Sequence, residues 1–342
     1  MASASSKIGA LILTVPPILV GTAGLAVYKT DWRALLRSVV SGENARNRVV
    51  VLLFLLLNLK SLPLSWTFRV FYSILKHHLI RKAPILGPRA LFKPIISKTH
   101  APLLEIDYNL HKTNSSYFAD LDISRSHLVS YLCRQGTWAV SDNAKFKLVR
   151  DPATGDLIKG DFGVMLGAVE CSFKREIGAY RGYETWSRVV SWDRKWLFIM
   201  THFVPAGVAK PREWLDPRYQ GLRTRGPKDA NGDWEKKVFA SAISKYVFKL
   251  GRFTIHPAIV LEASGLLPER PGGWISGEKQ LGDESVDLGD VDLSIDGEWD
   301  WRRVEAQRRK GMETAGHFQA LDSMHEAFDG GDYGVLGKFG PG

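Results

Sequence analysis

Residues 105–125 read EIDYNLHKTNSSYFADLDISR, and the fold turns on how this stretch is read. Leu103 to Tyr108 predicts a short extended run, and Asn114 to Gln135 a helix, because Phe118, Leu121, Leu128, Tyr131 and Leu132 fall at helical spacings. Asn114 or Ser115 is the expected N-cap and Gly136 the expected stop. A helix of this length and pattern belongs at the buried centre of its domain. Asp107, His111, Asn114 and Tyr117 stand in the spacing DxxxHxxNxxY across the strand exit, the loop and the first helical turns.

Working outward, the chain after this helix is rich in short β-like runs separated by turn residues. They are Lys145 to Arg150, a turn at Asp151 to Asp156, then Val164 to Lys174, Tyr183 to Trp192, Trp196 to Val204, Val238 to Leu250 and Phe253 to Leu261. Tyr183 to Trp192 and Trp196 to Val204 flank the polar turn 193–195, so they are expected to pair as a hairpin. Residues 205–237 form a polar insertion bearing Pro and Gly. One helix followed by an antiparallel meander is an α+β signature, since a doubly wound parallel sheet needs helices between its strands.

The chain has 342 residues, 45% of them hydrophobic and 24% charged, which excludes a wholly disordered protein. Cys133 and Cys171 are too few for a disulfide framework or a four-thiolate metal site. The net charge of +10 suggests nucleic acid until it is split along the chain. Residues 1–100 hold 14 Lys and Arg against only Asp31 and Glu43, while the rest of the chain is nearly balanced. The basic excess therefore accompanies the apolar N-terminal segments, where its natural partner is an anionic membrane surface and not nucleic acid.

Ile8 to Tyr28 carries no charge over a length that spans a hydrocarbon core, with Pro16 and Pro17 mid-run; a membrane anchor is the first reading and a cleaved signal peptide the second. The apolar stretch 49–75, broken by Asn58, Lys60, Pro63 and Arg69, would span, re-enter or lie in the interface. Its aromatic residues and the cluster Lys76, His77, His78, Arg81 and Lys82 favour the interface. Residues 84–94 read as a linker. The expected organisation is an anchor with basic linker over 1–94, a soluble domain over 95–270 with the insertion 205–237, an acidic linker over 271–300, and a C-terminal helix and tail over 301–342. In the helix expected at 302–328, Met312, Ala315, Phe318, Leu321 and Met324 form one stripe, an expected docking face.

No GxSxG elbow, Walker loop, GxGxxG or HExxH occurs, which removes the usual support for serine-elbow hydrolase, P-loop, Rossmann and zincin readings. The nine His and two Cys show no ligand spacing, so no metal or redox cofactor is expected. The loop at 107–114 does carry chemistry suited to an acyl thioester. Such hydrolysis needs a carboxylate that attacks or activates water, and donors for the carbonyl oxygen as it becomes anionic. Asp107 is the candidate carboxylate, with a simple turn residue as the alternative. His111 would orient it or bind the carbonyl, or serve structure alone. Asn114 would place water or cap the helix, and the helix amides would supply donors. Tyr117, Thr113 and Ser115 are candidate substrate contacts, Tyr117 otherwise packing beneath the loop, and Glu170 is a reserve acid.

The spacing of Asp107, His111, Asn114 and Tyr117 resembles the opening of the central helix in the hotdog-fold thioesterase superfamily, in the membrane-anchored branch called thioesterase superfamily member six and its fungal relatives. The segment YETWSRVVSWDRKWLFIMTHFV at 183–204 resembles that family's hairpin with its Trp-Asp turn. The likeness covers about residues 95 to 262. Where the wider family has an Asn pair after the His, this chain has Lys112, Thr113 and Asn114. The resemblance implies a hotdog fold, an antiparallel sheet wrapped around a central helix, and a homodimer. It also implies hydrolysis of acyl thioesters of coenzyme A or acyl carrier protein at a membrane, the endoplasmic reticulum before the mitochondrion, with the soluble domain cytosolic. Arg212, Arg218, Arg223, Arg225 and Lys228 of the insertion are candidate phosphate contacts or a solvated loop. Three other functions compete: a non-catalytic acyl-thioester or lipid-binding protein, a hydroxyacyl-thioester dehydratase, and a membrane adaptor acting through the C-terminal helix.

Overall fold

The computed structural model describes residues 31–222, 224, 235–275, 288–289, 291–293, 297–327 and 336. The proposed anchor at 8–28 lies outside the described residues. Among those described, no helix is long and apolar enough to cross a membrane. The stretch 49–75 is divided between two helices, α2 (Ala45–Leu57) and α3 (Ser65–Leu75), which follow α1 (Trp32–Val40). The break has local causes: Asn58 donates its side-chain amide to the Phe54 carbonyl at 2.8 Å, a tight turn covers Leu59–Ser61, and Leu64 has φ of 67°. α2 buries none of its residues, and Val50 to Leu57 are all exposed. After α3 the chain widens into a π-turn at Lys76–Ile80. The segment expected as a linker packs firmly: Ala90, Leu91 and Phe92 are core residues.

The sheet is antiparallel, with strands β1 (Ile95–His100), β2 (Phe162–Phe173), β3 (Gly182–Trp192), β4 (Leu197–Pro205), β5 (Ala240–Leu250) and the short β6 (Phe253–Ile255). The order is β1-β3-β4-β5-β2, with β6 on β5, so β1 and β2 are the edges. The expected hairpin is present, pairing Tyr183 with Pro205 and Trp192 with Leu197 around a turn in which the Asp193 carboxylate accepts from the Lys195 amide at 2.7 Å. α4 (Asn114–Leu132) is the central helix, burying Leu121 and Leu128 completely. The observed α+β architecture is a curved antiparallel sheet packed on this helix.

Several expectations are corrected. Leu103 to Tyr108 begins as a 3-10 turn (Leu103–Glu105), and the edge strand lies earlier, at β1. Lys145 to Arg150 is not a strand: α5 (Arg134–Ser141) and the single turn α6 (Asn143–Phe146) precede an isolated bridge between Arg150 and Leu157. Phe253 to Leu261 divides between β6 and α7 (Pro257–Ala263). Gly136 does not stop the central helix, which ends at Leu132; it sits inside α5, where a Cβ would lie 2.0 Å from the Val260 carbonyl oxygen. Its absent side chain lets α5 press against α7, and its amide donates to Ser264 Oγ at 2.9 Å.

The final helix, α8 (Trp301–Gln319), starts at an Asp300 cap and lies on β3 and its neighbours. Ala315 and Phe318 pack with Val190, Phe198 and Ile243, while Leu321 and Met324 of the expected stripe fall beyond the helix and are exposed. Gly311 permits the close approach: a Cβ there would stand 2.0 Å from the Val190 carbonyl oxygen, at the bulge where the β3–β4 register shifts. The stripe is thus largely spent on the sheet of its own chain.

Candidate functional site

The loop 105–114 is held by its own backbone. The Asp107 amide donates to the His111 carbonyl at 2.8 Å, the Leu110 amide to the Asp107 carbonyl at 3.0 Å, and Leu110 takes φ of 64°. Lys112 donates its amide to the Ile177 carbonyl at 2.7 Å, tying the loop to the segment after β2. This fold-back raises Tyr108 and Leu110 into solvent and leaves Asp107 half-buried.

Asp107 Oδ1 accepts the amides of Asn109 at 2.9 Å and His111 at 3.3 Å, while Oδ2 has no hydrogen-bond partner among the described residues. The carboxylate therefore braces its turn with one oxygen and presents the other. The His111 imidazole does not orient it: its Nε2 pairs with Glu176 at 2.8 Å. Asn114 and Ser115 are exposed at the start of α4, and the N-cap position is Thr113, whose side chain caps no amide. Ser116 turns its hydroxyl back to the Thr113 carbonyl at 2.8 Å. The Ser116 amide also donates to the Thr113 carbonyl, at 3.1 Å, whereas the Asn114 and Ser115 amides have no acceptor among the described residues and remain donors at the positive end of the helix dipole. Tyr117 is buried edge-on against Phe173 and Phe203, beneath the loop. Glu170 is exposed on edge strand β2. Arg218 is bound by Asp216, whose other partner is the Tyr131 hydroxyl at 2.6 Å; Arg212 is exposed, and Arg223, Arg225 and Lys228 lie outside the described residues.

Beside the loop lies a buried ionic cluster that no local sequence pattern foretells. Lys60 Nζ, from the N-terminal arm, reaches Glu105 Oε2, Asp120 Oδ2 and the His100 carbonyl, each at 2.9 Å, and the Tyr183 hydroxyl at 3.0 Å. Lys112 joins Glu105 at 2.5 Å and Asp120 at 3.1 Å, and Arg69 closes on the other Asp120 oxygen at 3.1 Å. Burial works against the Asp120 carboxylate, but Lys60, Lys112, the Tyr183 hydroxyl and Arg69 outweigh it and hold its pKa at about 2. Burial lowers Lys60. Asn58 Oδ1 also accepts the Leu104 amide at 2.9 Å, so the arm grips the turn immediately before Asp107. The only sequence signal was an Asp, two Ser and an Arg on the buried side of the central helix at Asp120, Ser124, Arg125 and Ser130.

Neither cysteine is poised as a nucleophile. Burial pushes the Cys133 thiol up to about 12, and burial with Glu170 nearby pushes Cys171 to about 11.

The chain is 34% identical over 291 residues to thioesterase poxG of Penicillium oxalicum, covering 83% of this chain and 87% of that one. It is 31% identical over 303 residues to thioesterase lcsJ of Purpureocillium lilacinum, covering 80% and 90%. No family model matches. Among solved structures it is similar to a 1,4-dihydroxy-2-naphthoyl-CoA thioesterase from Synechocystis, with TM-score 0.33 and 8% identity over 52% of this chain and 99% of that one. At that score the likeness carries no argument about the site.

Proposed function

Because the chain belongs to the hotdog-fold thioesterase superfamily, we propose that it hydrolyses an acyl thioester with Asp107 as its acid–base group. The observation that carries the residue assignment is the free Oδ2 of a carboxylate fixed by Asn109 and His111, on a loop that leads directly into α4. In this reaction Asp107 takes a proton as water oxygen bonds to the thioester carbonyl carbon. Amides at the start of α4 receive the developing oxyanion. Collapse of the tetrahedral adduct breaks the C–S bond, and the departing thiolate takes the proton back from Asp107, leaving a carboxylic acid and a free thiol.

The substrate class is an acyl-coenzyme A or acyl-carrier thioester. The assembly is a homodimer. Its support is edge strand β2, twelve residues long, which pairs with β5 on one side only and exposes Val164, Met165 and Leu166. An apolar unpaired edge of this length is a pairing surface for a second chain. The protein works at a membrane, supported by the basic excess of residues 1–100 and by the exposed apolar flanks of α2. The endoplasmic reticulum is the proposed compartment, with the catalytic domain facing the cytosol.

Free-thiol release from acyl-coenzyme A substrates of increasing chain length, run with the full chain in mild detergent, tests the activity. Release of thiol with no alkene product from a 3-hydroxyacyl thioester supports hydrolysis. Loss of water without thiol release makes the protein a dehydratase, and saturable binding with neither reaction makes it a binding protein.

A further inference from the structure

A cavity of about 1030 Å³ runs beside the central helix and reaches the ionic cluster at Asp120, but none of Asp107, His111, Asn114 or Ser115 lines it. It runs along edge strand β1, the strand farthest from β2 in the sheet order, and is closed by parts of the chain added around the central sheet and helix: α3, the insertion near Trp214, and the segment leading into α8. Its volume is at the upper end of the ~300–1,000 Å³ typical of small-molecule sites.

The lining has a defined chemistry. Leu86, Ile96, Trp186, Trp214, Leu222 and Trp299 supply apolar and aromatic walls. The carboxylates that reach it are already engaged: Asp120 by Lys60, Lys112 and Arg69, Glu213 by Arg89 at 2.5 Å, and Asp216 by Arg218. Lys98 and Arg212 line it as exposed cations with no carboxylate partner among the described residues, and Lys76 and Lys93 rest only on the rings of Tyr72 and Trp299. The indole N–H groups of Trp214 and Trp299 are buried without an acceptor among the described residues. Buried donors left unpaired are uncommon and point to a partner that supplies acceptors. Unneutralised cations, orphan N–H donors and an aromatic wall together complement an apolar body ending in an anionic, acceptor-rich head.

The location narrows the class further. Arg69, Tyr72 and Lys76 of α3 and the following turn face the cavity, whereas Phe68, Ile74 and Leu75 of the same helix are exposed apolar residues. At about 100° per helical residue Phe68 and Leu75 flank Tyr72, so the cavity borders an apolar surface suited to lipid.

We propose that this cavity binds one anionic lipid, an acyl chain carrying a carboxylate or phosphate headgroup, as a site separate from the thioester-cleaving loop. The inference stands on the cavity's own lining and does not require that the chain hydrolyse thioesters.

The test is displacement of cis-parinarate from the full chain in mild detergent by oleate, phosphatidate, phosphatidylcholine and coenzyme A. Saturable displacement by oleate or phosphatidate at one site per chain is expected, and whichever competes better identifies the headgroup as carboxylate or phosphate. Phosphatidylcholine and coenzyme A are expected to be weaker by tenfold or more. The exposed-site double variant Lys98→Glu/Arg212→Glu should weaken displacement by at least tenfold, and Trp214→Phe, which keeps an aromatic wall but removes the N–H and part of the ring, should weaken it measurably. Lys147→Glu/Lys159→Glu, with the same charge change outside the cavity, should leave it unchanged. Equal affinity in the Lys98→Glu/Arg212→Glu protein, absence of saturable displacement, or displacement by coenzyme A as strong as by oleate would each overturn the proposal.

Discussion

Lys60 Nζ lies 2.9 Å from Asp120 Oδ2, and 7% of the lysine side chain and 1% of the aspartate side chain reach solvent. An N-terminal arm that the sequence suggests is only a tether is thereby wired into the centre of the domain, within the same cluster as Glu105 and two residues before Asp107 in the loop. Removing one member of a buried ionic group strands the others without full compensation. Lys60→Met is expected to lower unfolding stability by about 3 kcal/mol, near the lower end of such losses because Lys112 still contacts both carboxylates. Denaturant titration checks this, and a loss under about 1 kcal/mol would show that the cluster tolerates the vacancy.

The same wiring bears on where the domain begins. A chain starting at Ile95 would lack Lys60, Asn58 and the core residues Leu91 and Phe92. It should be poorly soluble or melt well below a chain starting at Asp31, as read by thermal unfolding in the same detergent. Equal melting temperatures would make the arm dispensable for folding.

His77 and His127 meet across the arm–domain junction, Nε2 to Nδ1 at 2.9 Å. Burial, followed by the neighbouring charges, lowers His77 to about 3 and His127 to about 4. Both are neutral in the folded chain at neutral pH, while in the unfolded chain they titrate near pH ~6.5. Stability from this pair is therefore intact above about pH 6.5 and declines as pH falls toward 4, since the unfolded state binds protons first. Melting temperature should drop between pH 7 and pH 5, and the drop should shrink in a His77→Gln/His127→Gln protein; an identical pH profile in the two proteins would remove the pair from the account.

Gly311 faces the Val190 carbonyl oxygen so closely that a methyl group has no room. Gly311→Ala should shift α8 off the β3 bulge and destabilise the chain by about 2 kcal/mol, the middle of the range for overpacking. Hydrogen exchange along 301–319 is the sensitive readout, and unchanged protection there would mean that the helix accommodates the added carbon.

If β2 is the dimer edge, a charge placed on it should separate the subunits. Leu166→Lys, at an exposed position beside the Gly167 register shift, is expected to convert a dimer to a monomer by sedimentation. A dimer that persists at low micromolar concentration would place the interface elsewhere.

The meander and its hairpin were readable because alternating β-branched and aromatic residues, with a polar turn at 193–195, specify antiparallel pairing locally. The central helix was readable from Leu121 and Leu128, but its end was not. Gly136 resembles a stop signal until its contact with Val260 is known, and no local pattern encodes that approach. Of the loop residues, sequence spacing singled out Asp107 and His111 together, whereas the fold bonds His111 to Glu176. Lys60 and Lys112 were hidden because a lysine reads as a solvated residue, and only the three-dimensional meeting of Glu105, Asp120 and Tyr183 makes their burial tolerable.

The central claim is that Asp107 performs the proton transfers of thioester cleavage. Its most direct test is the kcat for thiol release by the full chain against that of Asp107→Asn, which keeps an acceptor for the Asn109 and His111 amides while removing the base. The account predicts a fall of roughly a hundredfold or more with folding unchanged; turnover equal to the parent's would contradict it.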